Sequence, residues 1–173
     1  MKQKIIITGW AWFIGSNFLN KYVILNPEID FINIDALTYA WKLENISDEV
    51  KNASNYAFEK VDIRNIDEIR KVYEKYKPTD IIHFAAESHV DNSIKNPVIF
   101  YETNVIWTQN LMQVHREFSL NRFHHISTDE VYGDLPNWWF FTENTPINSS
   151  SPYSSSKAWS DLVVKAYWRT FWV

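Results

Sequence analysis

Ile5-Ile6-Ile7-Thr8-Gly9-Trp10-Ala11-Trp12-Phe13-Ile14-Gly15 decides how the rest of the chain is read. Lys4 to Thr8 is short and rich in β-branched residues, suited to a strand buried on both faces. The residues after it have the spacing of a dinucleotide-binding turn. Such a turn needs small residues, so that the backbone can approach a pyrophosphate whose charge rests on the next helix N-terminus. Gly9 and Gly15 keep the outer positions of a G-x-x-G-x-x-G spacing, while Trp12 stands at the central one. Cofactor contacts are therefore expected at Gly9, Trp12, Phe13, Ile14 and Gly15, with an indole where a phosphate needs room.

Outward from this turn, strand-like and helix-like segments alternate. Ile14 to Leu25 has apolar residues at helical spacing, closed by Asn26-Pro27. Phe31 to Ile34 reads as a second strand and Tyr56 to Val61 as a third, followed by a charged amphipathic helix over Ile66 to Tyr76. Asp80 to Ala85 is a fourth buried strand, Pro97 to Phe118 one long helix, Arg122 to Ser127 a fifth strand, and Ser154 to Phe171 a last helix. The alternation predicts βαβ units with right-handed crossovers, hence an α/β fold: a doubly wound parallel sheet between two helical layers. One domain over residues 1–173 is expected. Because the chain stops where a helix ends, a sheet of this kind is expected to be incomplete here, truncated before a C-terminal substrate-binding part.

Composition narrows the function. The net charge is −4 and there is no basic run, which argues against a nucleic-acid or anionic-membrane surface. Without Cys there is neither a disulfide framework nor thiolate chemistry. No signal-peptide pattern and no apolar run of membrane-spanning length occur, so a cytoplasmic location is expected. His83, His124 and His125 lie in or beside strands without ligand spacing, and no metal site is expected. Aromatic residues without basic interleaving point to core packing rather than base stacking.

Three constellations carry chemistry. Asp35 falls 20 residues after Gly15 at the end of the second strand, where a carboxylate can accept both ribose hydroxyls and repel a 2′-phosphate, favouring NAD over NADP. Asp62, after the third strand, suits an adenine edge or a loop cap equally well. Tyr153 and Lys157 lie one helical turn apart, so the ammonium is expected to lower the phenol pKa from about 10 and make Tyr153 a usable base. Thr128-Asp129-Glu130 ends the fifth strand, on the side where open α/β sheets bind ligands. Two adjacent acids there can divide acid and base roles.

At these residues the chain resembles the extended short-chain dehydrogenases/reductases, and among them the nucleotide-sugar 4,6-dehydratases. The matching segments are Ile7-Thr8-Gly9 with Phe13-Ile14-Gly15, Asp35-Ala36-Leu37-Thr38-Tyr39, His83 to Asp91, Glu102-Thr103-Asn104, Ser127 to Gly133, and Tyr153 to Lys157. The resemblance implies a Rossmann-like domain, NAD as cofactor, a nucleotide sugar (dTDP-glucose first) as substrate, and a homodimer. It implies a redox-neutral lyase mechanism in which NAD takes a hydride from C4 and returns it to C6. Tyr153, assisted by Lys157, takes the 4-hydroxyl proton and Thr128 hydrogen-bonds the same oxygen. Glu130 removes the C5 proton while Asp129 protonates the departing 6-hydroxyl. Leu37, Thr38, Asp62, Ile63, Ala85, Ala86, Ser88 and Thr103 are implied around NAD, and Glu87, His89 and Asn104 near the substrate or cofactor. A nucleotide-sugar epimerase of the same family, or an inactive form that keeps the fold, is the alternative.

Family members ordinarily carry glycine at the positions of Trp10, Trp12, Trp41, Trp107, Trp138, Trp139, Trp159 and Trp172. Among the 9 tryptophans only Trp168 suits its place, and the chain has 3 glycines where ordinary usage gives roughly a dozen. Strain or overpacking of about one to three kcal/mol at each such site would exceed the stability of a small domain. One systematic origin is expected rather than independent drift, either deliberate replacement of glycine by tryptophan or misassigned residue identity at these positions.

Overall fold

The computed structural model describes residues 2–9, 13–37, 45–135 and 140–172. Trp12 and Thr38, both expected at the cofactor, lie outside the described residues, as do Trp10, Trp41, Trp138 and Trp139. Two compact units divide the chain: Met1–Ala85 with Asn110–His125, and Ala86–Gln109 with Ile126–Trp172.

The first unit holds the sheet. Its strands are β1 (Lys4–Thr8), β2 (Asp30–Asp35), β3 (Tyr56–Lys60), β4 (Asp80–His83) and β5 (Arg122–His125), all parallel, in the order β3-β2-β1-β4-β5. Ile6 pairs with Ile32 on one side and Ile81 on the other, so the most apolar strand is also the central one. Helix α1 (Phe13–Leu25) and the short α2 (Asp48–Lys51) pack with Ile5, Ile7, Leu19, Val23, Phe31, Ile46 and Val50 in one core cluster. Ile6 points to the opposite face by the pleat. Helix α3 (Ile66–Tyr76) starts at Asn65, whose side chain accepts from the amides of Asp67 and Glu68. Each fully buried Ile or Leu contributes about 1.5–3 kcal/mol, so this sheet is the main source of stability.

The second unit is helical. It contains α4 (Val90–Lys95), α5 (Pro97–Tyr101), a π-helical turn (Glu102–Ile106), the start of α6 (Trp107–Glu117), a 3-10 turn (Asp129–Tyr132) and α7 (Pro152–Phe171). The expected single helix over residues 97–118 is therefore broken into three pieces. Its apolar periodicity does not reveal the extra residue that a π turn takes up. The fourth and fifth strands are shorter than expected, ending at His83 and His125, so Ala85 and Ser127 lie beyond the ladder. Helix α7 begins two residues early because Ser151 and Ser154 form a reciprocal capping box ahead of Tyr153.

Candidate active site

In the sheet unit, the strand order reverses between β1 and β4, the place where doubly wound sheets open a crevice. Gly9 follows β1 with φ +72°, and a Cβ there would fall 2.3 Å from the Ala85 amide nitrogen and 2.4 Å from its Cα. Only glycine fits, for both conformation and space. The Thr8 hydroxyl lies 2.6 Å from His83 Nδ1 and accepts from the Ala85 amide at 3.3 Å, fixing the first residues beyond both strands. At the start of α1, Gly15 is buried whereas Phe13 and Ile14 are exposed.

Asp35 ends β2, and its carboxylate accepts from the Leu37 amide at 2.8 Å, with Leu37 at φ 53°. The capping role and a ribose contact use different oxygen lone pairs. Asp62 pairs with Arg64, whose Nε donates at 2.7 Å, and this contact holds the carboxyl below its usual range. Its geometry is that of the loop cap, and Ile63 beside it is buried.

The helical unit gathers the remaining candidates. Asn104, on the π turn, is fully buried. Its side chain accepts from the Glu87 amide at 2.9 Å, donates to the Glu87 carbonyl at 3.0 Å, and donates to Ser156 Oγ at 2.8 Å. Ser156 donates in turn to the Tyr153 carbonyl at 2.7 Å. The amide of Asn104 is thus spent on bracing the segment around Glu87 against the first turns of α7, not on facing a ligand. Thr103 is buried with its hydroxyl lacking a hydrogen-bond partner among the described residues. Ala86 and His89 are exposed and Ser88 half-buried on the same segment as Glu87.

Tyr153 and Lys157 occupy one face of α7. The Thr128 side chain acts to lower the Tyr153 pKa, yet the phenol is raised above its ordinary value. Burial is the largest cause, reinforced by the charges of Glu130 and Asp129. This corrects the expectation that Lys157 makes the phenol more acidic. The Lys157 ammonium donates to the Ile126 carbonyl at 2.6 Å, and burial pushes its pKa down to about 8. Asp129 and Glu130 form the exposed start of the 3-10 turn, capped by Thr128, whose hydroxyl accepts from the Glu130 amide at 3.3 Å. Thr128, Asp129, Glu130, Tyr153 and Lys157 therefore fall together. Two carboxylates, a hydroxyl, a phenol and an amine provide acid, base and hydrogen-bond donor for proton transfers at a polyol. Sequence reasoning missed Ser156, buried on α7, and Asp161, half-buried further along it. Helical spacing from Tyr153 and Lys157 was the available signal for both.

A parallel sheet with its switch point beside a positive-φ glycine, carried with a Thr, Tyr and Lys cluster, defines a Rossmann-like protein of the short-chain dehydrogenase/reductase fold. The profile described as GDP-mannose 4,6 dehydratase matches residues 6–173, and the chain belongs to that family. It is 46% identical over 187 residues to the dTDP-glucose 4,6-dehydratase of Salmonella typhimurium, covering 98% of this chain and 51% of that protein. It is 45% identical over 179 residues to the enzyme of the same name from Neisseria meningitidis serogroup B, with 98% and 50% covered. The chain thus spans about half the length of the curated relatives it matches. Among solved structures, DesIV of Streptomyces venezuelae, a dTDP-glucose 4,6-dehydratase with NAD bound, superposes with TM-score 0.92 at 39% identity, over 99% of this chain and 53% of that one. The UDP-glucose 4-epimerase of Thermus thermophilus, in complex with NAD, superposes with TM-score 0.87 at 25% identity, over 99% and 52%.

Proposed function

We propose that this chain is the NAD-binding, catalysis-bearing part of a nucleotide-sugar 4,6-dehydratase acting on dTDP-glucose. The observation that carries the reading is that Thr128, Asp129 and Glu130 all act on the Tyr153 phenol, with Lys157 one turn on along the same helix. An adjacent acid pair is what elimination of water needs and what a simple epimerisation at C4 does not. The more similar relatives carry dehydratase names, and the epimerase similarity is lower in identity.

The residues present fit the cofactor. Gly9 leaves no room for a side chain over Ala85, which is the close backbone approach a dinucleotide turn requires. Gly9, Gly15, Asp35 and Ala85 of the sheet unit are assigned to NAD, with Ser88, Trp12 and Thr38 assigned on sequence alone. When bound, NAD supplies the reversible redox step that makes the net reaction a dehydration. The chain's own groups handle protons. Tyr153, as its phenolate, accepts the proton of the sugar 4-hydroxyl and becomes neutral. Burial and the Asp129 and Glu130 charges disfavour that phenolate in the free chain, and the Lys157 ammonium one turn on is the cation assigned to stabilise it. Thr128 orients that oxygen. Glu130 takes the C5 proton, and Asp129 delivers a proton to the departing 6-hydroxyl. Orientation and general acid–base catalysis are the protein's contribution.

A homodimer and a cytoplasmic setting complete the proposal. Ile94, Val98, Ile106 and Leu162 are each more than half exposed, apolar surface that a second copy would cover. No described helix is long and apolar enough to cross a membrane. The test is conversion of dTDP-glucose by the full-length protein. We expect the 4-keto-6-deoxy product, and Glu130→Gln is expected to stall at the 4-keto hexose with no 6-deoxy sugar. Release of a C4 epimer by the unmodified enzyme would move the assignment to an epimerase.

A further inference from the structure

Lys157 and Asp161 stand one turn apart on α7, and each engages one of two consecutive residues just before Thr128. Lys157 Nζ donates to the Ile126 carbonyl at 2.6 Å, and the Ser127 hydroxyl donates to Asp161 Oδ2 at 2.6 Å. Neither Ser127 nor Asp161 has a part in the proton transfers proposed for the site. Both contacts nevertheless bear on the segment that turns into Asp129 and Glu130.

The electrostatics point the same way. Lys157 is only 3% exposed, and an ammonium so placed loses most of its hydration. A carbonyl supplies one hydrogen bond but no charge. The pull that opposes deprotonation comes from Asp161, against the larger effect of burial. The other ionisable groups nearby, Asp129 and Glu130, act on Tyr153 from the 3-10 turn and are themselves exposed.

We propose that Asp161 is a positioning residue for this site: it clamps Ser127, and with it the Thr128-Asp129-Glu130 segment, to α7, and it supplies the negative charge that keeps Lys157 an ammonium. The proposal rests on the reading of Tyr153 and Lys157 as a catalytic pair. It gives the site an internal counter-charge, one turn beyond the lysine and away from the acids that handle protons. The spacing Tyr, Lys, Asp at 153, 157 and 161 then acts as one column along the helix.

Two substitutions separate the roles. Asp161→Asn keeps an oxygen for the Ser127 hydroxyl and removes the charge, whereas Ser127→Ala keeps the charge and removes the clamp. The Lys157 titration is followed by NMR of lysine labelled at Cε, assigned with Lys157→Met, in this chain without substrate. We expect Asp161→Asn to weaken proton binding at Lys157 by about tenfold or more, as loss of a nearby opposite charge does. Ser127→Ala is expected to leave that midpoint in place while hydrogen exchange at residues 128–131 speeds up. If Asp161→Asn does not fold, Asp161→Glu and Asp161→Gln, matched in size, replace it, and only the Gln form is expected to titrate lower. An unmoved Lys157 midpoint in the neutral variants, or unchanged exchange in Ser127→Ala, overturns the proposal. Because neither readout needs turnover, failure of the dehydratase reading would show separately, as absence of the 4-keto-6-deoxy product from an enzyme whose Lys157 titrates as expected.

Discussion

At Gly9 conformation and space make the same demand, a φ of +72° and backbone 2.3 Å from any added Cβ. Gly9→Ala is expected to lower the free energy of unfolding by about 2 kcal/mol or more. The urea midpoint would show it, falling at an unchanged slope. This glycine was legible in the sequence because a turn of fixed spacing announces it. The acidity of Tyr153 was not, since burial and the Asp129 and Glu130 charges arise only once α7 and the 3-10 turn are packed. His115 was equally hidden. It is fully buried on α6, both ring nitrogens lack a hydrogen-bond partner among the described residues, and burial pushes its pKa down to about 4, with Asp80 opposing. The unfolded chain binds this proton first, near the ordinary pKa of about 6.5, so the folded state loses stability as pH falls from there towards 4. The full effect is about 3 kcal/mol. His115→Phe, by thermal melts across this range, is expected to flatten that part of the pH dependence.

Among the elements, the π turn at Glu102–Ile106 carries an expectation of its own. It interrupts a helical pattern that is continuous in the sequence from Pro97 to Phe118, and the interruption turns Asn104 inward to hold both backbone groups of Glu87. Asn104→Ala removes the partner of two part-buried backbone groups of Glu87 and one donor to Ser156 Oγ, which keeps its bond to the Tyr153 carbonyl. We expect a loss of about 2–4 kcal/mol, seen as a lower melting temperature and faster amide exchange at Glu87. Strands β1, β2 and β3 were legible nearly to the residue: β1 is an Ile run closed by Gly9, β2 an apolar run ending at Asp35, and β3 a short segment that opens after Asn55. The short helices α2 and α4 were not, since four and six residues carry too little periodicity to be seen. The reciprocal Ser151 and Ser154 cap was present in the serine run, yet only the backbone shows which serines pair.

For the molecule as a whole, the alternation of strand and helix carried the fold class, and the sheet order β3-β2-β1-β4-β5 then put the Gly9 turn at its switch point. The tryptophans are the part of the sequence that the fold does not explain. Trp159 is 59% exposed on α7, so the overpacking expected of so large a residue does not arise there. Trp172 is different. It ends α7 in the left-handed conformation, φ 59° and ψ 37°, its amide bonded back to the Trp168 carbonyl. That is the helix-ending position where glycine is strongly favoured and a bulky side chain is an outlier. Trp12 likewise stands where a dinucleotide turn calls for glycine, and NAD binding measured by calorimetry is expected to tighten on Trp12→Gly. A backbone that asks for glycine where the sequence reads tryptophan points past protein chemistry to decoding. The codon UGA, a stop signal in the standard genetic code, is read as tryptophan in some variant codes and as glycine in others. One codon read in the wrong code would write Trp at every such glycine and leave untouched a tryptophan specified by the standard UGG codon, which is the codon expected for Trp168. We expect the protein isolated from its native cells to have an intact mass with glycine at residues 10, 12, 41, 107, 138, 139, 159 and 172; a mass carrying all 9 tryptophans would refute it. On that reading the left-handed turn at residue 172 is the trace of a translation table.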